Sequence, residues 1–197
     1  TQLGAKEMPI GLAVGAADAI DVLPFGVQAY EMWYRFLNAG FKVAPGGGTD
    51  VFTNWRGINQ IPGGARQYVD VGGPMDWARW VERYREGRTF VTNGPLLSFQ
   101  VNGSGPGAVL DASAGSPYKA KLTVEVTTRV PVHLIEFLQN GNVLRREEVA
   151  PRTGTIRAEA EATVERSSWF AVRVTGQPSR GIAGIQGIPR AHSGAVY

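Results

Sequence analysis

The sequence predicts an α+β chain, with a partial α/β segment over residues 1–94 and an antiparallel β-sandwich over residues 95–197. Three observations carry this. Apolar residues recur at three- and four-residue steps in two segments before Gly87. After Gly87 the period changes to alternation, with no helical stretch between the candidate strands. Glycine supplies 26 of the 197 residues, enough for the many tight turns a short-stranded fold needs.

Taken in order, residues 1 to about 23 are small and apolar around Ile10-Gly11-Leu12-Ala13-Val14. They suit either a glycine-interrupted helix or a buried strand with turns. A helix is expected over residues 25–39, where Val27, Tyr30, Tyr34 and Leu37 share a face with Trp33 beside them. Pro24 stands at its start and Gly40 just past its end. Phe41-Lys42-Val43-Ala44 reads as a short strand. Residues 51–73 carry many turn residues and form a long loop, of the kind that often holds function, with Tyr68-Val69-Asp70-Val71 as a strand inside it. A second helix is expected over residues 75–86, with Trp77, Trp80, Val81 and Tyr84 on its core face. Trp33 and Trp169 likewise suit core faces.

Strands are then expected at 89–92, 97–101, 120–126, 132–138, 143–147, 155–164 and 169–174. Leu122, Val124 and Val126 share one face of their strand. Ile156, Ala158, Ala160 and Ala162 share one face of another, with Arg157, Glu159 and Glu161 turned outward. Asn140-Gly141 between two apolar runs predicts a two-residue hairpin. Short strands at this spacing indicate a sandwich. The turn Thr92-Asn93-Gly94-Pro95 marks the junction, which its side chains are placed to fix.

Composition excludes several function classes. The net charge is +3 and the sequence pI is about 9.4, but the densest charge groups, around residues 79–85 and 145–148, mix signs. Solvated faces are expected there, not a nucleic-acid surface. With no cysteine, disulfides, thiolate metal sites and a cysteine nucleophile are excluded. No apolar run approaches the roughly 18 residues of a membrane span, and Thr1-Gln2-Leu3-Gly4-Ala5-Lys6 is not a signal peptide. The chain closes on Gly194-Ala195-Val196-Tyr197, which reads as a strand start, so both ends are expected to continue into something longer.

The sharpest chemical feature is Gly46-Gly47-Gly48-Thr49-Asp50, directly after a short strand. In α/β folds ligands bind at the carboxyl ends of strands, where glycines let the backbone come close. An aspartate there is placed to hold a hard or borderline metal ion. The plainer reading of Asp50 is a turn cap. No Gly-Lys-Ser/Thr follows, so this is not a phosphate loop. Arg56, Arg66 and Arg88 offer planar guanidinium forks for an anion, with Asn93 beside the junction, and Trp55 offers a stacking surface for substrate. His133 and His192 stand 59 positions apart in the expected sandwich, and no spacing joins them to Asp50 as a metal centre. No nucleophile elbow or serine–histidine spacing is present.

The runs Trp33-Tyr34-Arg35-Phe36-Leu37-Asn38-Ala39-Gly40-Phe41, Gly48-Thr49-Asp50-Val51-Phe52 and Gly87-Arg88-Thr89-Phe90-Val91-Thr92-Asn93-Gly94-Pro95 resemble metallohydrolases related to carbaryl hydrolase. So do Val101-Asn102-Gly103, Ile135-Glu136, Asn140-Gly141 and Ala191-His192-Ser193. These enzymes belong to the polymerase-and-histidinol-phosphatase (PHP) superfamily. The resemblance covers nearly the whole chain. It implies the C-terminal part of a PHP-like protein, with the end of a distorted TIM-like α/β barrel followed by an immunoglobulin-like β-sandwich. It further implies divalent zinc, manganese or iron in the complete parent protein, activating water to cleave ester, amide or phosphoester bonds of a small-molecule substrate. Asp50 matches the metal-binding aspartate of the superfamily's Gly-Ser/Thr-Asp motif. Where many members place a histidine two residues later, this chain has Phe52, and the earlier histidine motifs are absent.

A catalytic metal takes about three protein ligands and an open position. The resemblance supplies one here, so the chain is expected to be inactive alone. An incomplete barrel leaves strand edges open, so association with a missing N-terminal segment or with a second copy is expected. The resemblance favours a periplasmic or secreted location. A reading of a different class stays open, in which the sandwich is a non-catalytic module for a carbohydrate or protein partner. A purely structural role is the third.

Overall fold

Sequence period decides which stretches become helix and which become strand. The computed structural model describes residues 7–23, 30–51, 62–112, 117–178 and 187–197. In chain order these hold helix α1 (Met8–Ala13), strand β1 (Ala19–Asp21), helix α2 (Tyr30–Asn38), strands β2 (Ala44–Gly46) and β3 (Arg66–Val69), and helix α3 (Trp77–Arg85). Strands β4 (Thr89–Thr92), β5 (Leu96–Val101), β6 (Tyr118–Gln139), β7 (Asn142–Val164), β8 (Phe170–Gly176) and β9 (Arg190–Ser193) follow. The chain is mostly β, with one large antiparallel sheet. No helix among the described residues is long and apolar enough to cross a membrane.

That sheet runs β3-β4-β9-β8-β6-β5, with β7 also paired to β6. Strands β6 and β7 are each more than twenty residues long and meet at Asn140-Gly141. Both turn residues have positive φ, 52° and 83°, the conformation a two-residue hairpin of this twist requires. Strand β6 bends between Thr128 and Val132, where its register with β7 shifts. At the bend the Thr128 hydroxyl donates to the Val130 carbonyl (2.7 Å) and accepts from its N–H (3.1 Å). Before the bend β6 pairs with β5, and after it with β8. The sheet thereby folds into two facing layers, as a sandwich requires. Alternate side chains of both layers fill the space between, among them Phe99, Leu122, Ile135, Phe137 and Val172.

The second layer is covered on its other face as well. Trp33, Tyr34 and Leu37 of α2, with Ile20 and Val22, pack on Val91, Leu138 and Ala171. Helix α2 connects β1 to β2, which pair in parallel as a separate two-stranded sheet. The Trp33 indole N–H donates to the Val43 carbonyl (2.9 Å), fixing the approach to β2.

Several expectations shift. The ambiguous first segment contains both a short helix and a short strand. The strand expected at 41–44 lies at Ala44–Gly46, because pairing with β1 (Ala19 opposite Ala44, Asp21 opposite Gly46) outweighs the apolar run before it. The strand expected at 68–71 lies at Arg66–Val69, in register with β4. The pairs of strands expected at 120–126 with 132–138, and at 143–147 with 155–164, are each one long strand carried through a bend. Strands β3 and β4, which precede residue 94, are members of the large sheet. The core assignment of Trp77 and Trp80 is corrected. Helix α3 has no buried residue, and Trp77 is 70% exposed. The two indoles stack on each other instead (5.3 Å between centroids, 5° between planes). Trp33 and Trp169 are buried as expected.

Phe137 is fully buried just beyond the bend in β6. Phe137→Ala should lower the unfolding free energy by about 3–5 kcal/mol, seen as a lower urea midpoint with an unchanged m-value.

Candidate functional site

Because β1 and β2 run parallel, the residues that follow them emerge at the same end. Asp21 is the last residue of β1, and the Gly46–Asp50 loop leaves β2 beside it. The Asp21 carboxylate accepts from the Leu23 N–H (3.0 Å) and from the Gly48 N–H, so it clasps the loop to β1. Gly47 donates to the Gln67 side-chain oxygen (3.4 Å). The Thr49 hydroxyl donates to the Ala65 carbonyl and accepts from the Ala65 N–H, both at 2.9 Å. The loop is thus held from three directions, and it ends at an exposed Asp50 with φ 51°.

Close approach favours glycine here. A Cβ at Gly46 would stand 2.7 Å from the Tyr84 hydroxyl. One at Gly47 would stand 3.0 Å from the Arg66 carbonyl and 3.2 Å from the Val91 Cβ. Asp21 is exposed at the strand end, but the loop beside it partly desolvates its carboxylate and raises its pKa above the ordinary value; the charge of Asp50 raises it further, against the lowering effect of the two N–H donors. Burial, together with the charge of Asp21, pushes the Tyr84 hydroxyl up to about 12, so it stays protonated and can donate. The strand-end loop thus carries two carboxylates, near enough for the charge of Asp50 to act on Asp21.

A second polar group lies under α2. Residues Arg146, Glu136, Arg173, His192, Val91 and Gln67 are successive cross-strand partners over six strands. Glu136 is buried and accepts from Arg146 (2.8 Å) and Arg173 (2.5 Å). Burial alone would raise its pKa, but the hydrogen bonds and charges of the two guanidiniums outweigh that and hold it low. The Tyr34 hydroxyl lies 2.6 Å from His192 Nε2, and His192 Nδ1 lies 2.8 Å from the Ser193 carbonyl. A carbonyl only accepts, so Nδ1 carries the proton and Tyr34 donates to Nε2. Burial pushes the His192 pKa down to about 3.

The residues singled out from sequence do not converge. Asp50 lies near enough to Asp21 for its charge to act on it, while Trp55 and Arg56 lie outside the described residues. Arg66 donates to the Gly63 carbonyl (2.9 Å), a local loop contact. Arg88 pairs with Glu86 (2.8 Å) and lines a groove between β4 and β5. Asn93 is buried and structural, accepting from the Arg190 N–H (2.5 Å) and donating to the Ile188 carbonyl (3.1 Å). His133 is partly buried in β6, and His192 serves the α2 interface. Sequence reasoning missed Asp21, Gln67 and Tyr84. The available signal was an aspartate closing a short apolar run before a helix, the same strand-end position that singled out Asp50.

Among the described residues no group of three or more histidine, cysteine, aspartate or glutamate side chains is arranged to hold a metal ion. Comparison with family models, with curated proteins and with solved structures gives no match.

His192 allows a pH test. Unfolded, it protonates near 6.5, but in the fold only near 3, so unfolding takes up a proton between these values. Stability should therefore be lost as pH falls from about 6.5 toward 3. His192→Gln removes the titrating group, and its free energy of unfolding should fall less steeply with decreasing pH, by up to about 1.4 kcal/mol per unit. Urea titrations at pH 7, 5.5 and 4.5 measure this.

Proposed function

We propose that the chain is the C-terminal part of a metal-dependent hydrolase of the PHP kind, in which Asp50 is one ligand of a divalent centre completed by residues outside this chain. On this reading the β1–α2–β2 unit derives from a PHP-type barrel and the sandwich is immunoglobulin-like. The observation that carries it is the placing of Asp21 and of the Gly46–Asp50 loop after two adjacent parallel strands, near enough for the charge of Asp50 to act on Asp21. The sequence resemblance adds the Gly-Thr-Asp motif and its neighbours.

The donor set fits a divalent ion in part. Two carboxylates offer the hard oxygen donors that zinc, manganese or iron accept. A working centre takes about three protein ligands with an open position, and the described residues provide no third. The bound ion would supply activation of water toward an ester, amide or phosphoester of a small-molecule substrate. This chain's part is positional. Asp21 clasps the Gly48 backbone, Gln67 and Thr49 hold the loop from the other side, and Asp50 is presented outward in a fixed place. The remaining ligands would come from a missing N-terminal segment or from a second copy of the chain.

The test is binding of Mn²⁺ or Zn²⁺ to the purified chain, read by calorimetry and by elemental analysis after dialysis. Weak binding is expected, with its dissociation constant raised about tenfold or more by Asp50→Asn. Hydrolysis of simple esters by the chain alone should stay at background. Equal binding by wild type and Asp50→Asn would refute the assignment of Asp50.

A further inference from the structure

Strand β5 is an open edge. It pairs with β6 along one side and with no other strand among the described residues. The outward N–H and C=O groups of Leu97 and Phe99 lack a sheet partner, while those of Val101 are bonded to Ser104 (2.9 Å each). Natural edges are usually blunted by charge, proline, a bulge or a covering segment. None of the first three occurs within β5, whose sequence is Leu96-Leu97-Ser98-Phe99-Gln100-Val101. Its neighbours on the same layer differ, since β6 and β7 carry the ion pairs Lys121–Glu159 (3.0 Å) and Arg157–Glu125 (2.6 Å) on their exposed face. Of the two unpaired edges of this layer among the described residues, β7 is charged and β5 is the uncharged one.

A groove of about 450 Å³ runs along that edge. Four consecutive residues of β5, 97–100, line it. Successive side chains of a strand point to opposite faces, so a groove touching all four follows the edge rather than a face. Its opposite wall comes from the other layer, where β3 and β4 extend beyond β5. There Tyr68 and Phe90 stack (5.0 Å between centroids, 9° between planes), and Tyr68 is 42% exposed. Asp70 and Arg88 contribute one charge of each sign, and Arg88 already pairs with Glu86. Such a groove does not select a charged ligand.

We propose that this groove binds an extended, uncharged peptide strand, which adds to the free edge of β5 and lays its apolar side chains on the Tyr68–Phe90 pair. The backbone of β5 supplies the hydrogen bonds, and the aromatic pair selects an apolar residue at every second position. A second copy of the chain does not fit the same place. Antiparallel pairing of two β5 strands about a two-fold axis sets both inner faces on the same side. Each copy's β3–β4 ledge would then need the space beneath the other's β5. A single strand is thin enough to lie on the ledge. The inference is independent of the metal ligand proposed above, whose glycine loop packs on the opposite face of β3.

The test uses the full chain and an acetylated, amidated eight-residue peptide alternating threonine with phenylalanine or valine. A matched peptide N-methylated at alternate residues serves as control. Calorimetry should show saturable binding, weakened at least tenfold by N-methylation and about tenfold by Tyr68→Ala. Backbone amide exchange should slow within Leu96–Val101 when the peptide is added. Because the N-methyl control leaves the protein unaltered, the result does not depend on the variant's folding. Absence of saturable binding, equal binding of both peptides, or protection of Arg66–Val69 instead of β5 would overturn the proposal. So would saturable binding of cellohexaose at Tyr68 with no effect of the peptide, which would mark the groove as a saccharide site.

Discussion

The bend in β6 between Thr128 and Val132 is the constraint on which the molecule is built. A straight strand of 22 residues would extend about 70 Å and could line only one layer. Turning it lets one hairpin supply both layers and place the two halves of its apolar face opposite each other. The Thr128 hydroxyl satisfies Val130 at the point where ladder pairing is interrupted, so the buried Val130 N–H is not left unpaired. Past the bend, pairing with β8 and then β9 and β4 brings the second layer back toward α2. Every contact between the α/β unit and the sheet follows from that return.

The contact is specific as well as apolar. The Asn140-Gly141 turn at the far end of the hairpin sits against Tyr34 of α2, where a Cβ on Gly141 would stand 3.0 Å from the ring. Asn140 accepts from the Trp169 N–H (2.9 Å), the Trp169 indole donates to Asn38 (2.7 Å), and Asn38 donates to the Asn140 carbonyl (3.2 Å). The helix end, the hairpin turn and the start of β8 close a ring of hydrogen bonds. Beneath it, His192 and the Glu136–Arg173 pair occupy positions on which an apolar sheet face would pack equally well. Buried polar groups of this kind cost desolvation and contribute definition of register more than stability. Tyr34 on the helix donates to His192 on the sheet, a buried polar contact that ties α2 to this position.

This division explains what was legible in the sequence. Period and turn chemistry are local, so the hairpin at Asn140-Gly141, the alternation of Leu122-Thr123-Val124 and the α2 stripe could all be read directly. The continuity of β6 and β7 was hidden because Arg129-Val130-Pro131 interrupts the alternation like a loop, while the chain merely turns a corner there. Trp77, Trp80 and Tyr84 share a helical face, but only its Tyr84 end is packed against the glycine loop while Trp77 stands exposed, and amphipathicity alone does not say so. At the site, Asp50 was visible because glycines surround it. Asp21 was not, since its partner Gly48 lies 27 positions away and only the parallel pairing of β1 with β2 brings them together. Glu136 and Arg173 carried a weaker sign, each a charge between apolar neighbours in a strand, but their pairing depends on the register of β6 with β8.

Strands β3 and β4 give the two proposed sites separate faces of one narrow piece of sheet. Gln67 and Val91 are cross-strand partners on one face, against the Gly46–Asp50 loop. Tyr68 and Phe90 are the next partners along and point to the other face, into the groove beside β5. The two sites share a backbone and no side chain. Changes confined to side chains on one face should therefore leave the other face intact, because neither the loop contacts nor the aromatic pair is shared. A change in register is different. A slip of one residue between β3 and β4 would exchange Gln67 for Tyr68 beneath the glycine loop, where no room exists for a ring, and would remove the apolar wall of the groove at the same time. The close approach at Gly46 and Gly47 thus pins the register that both faces use.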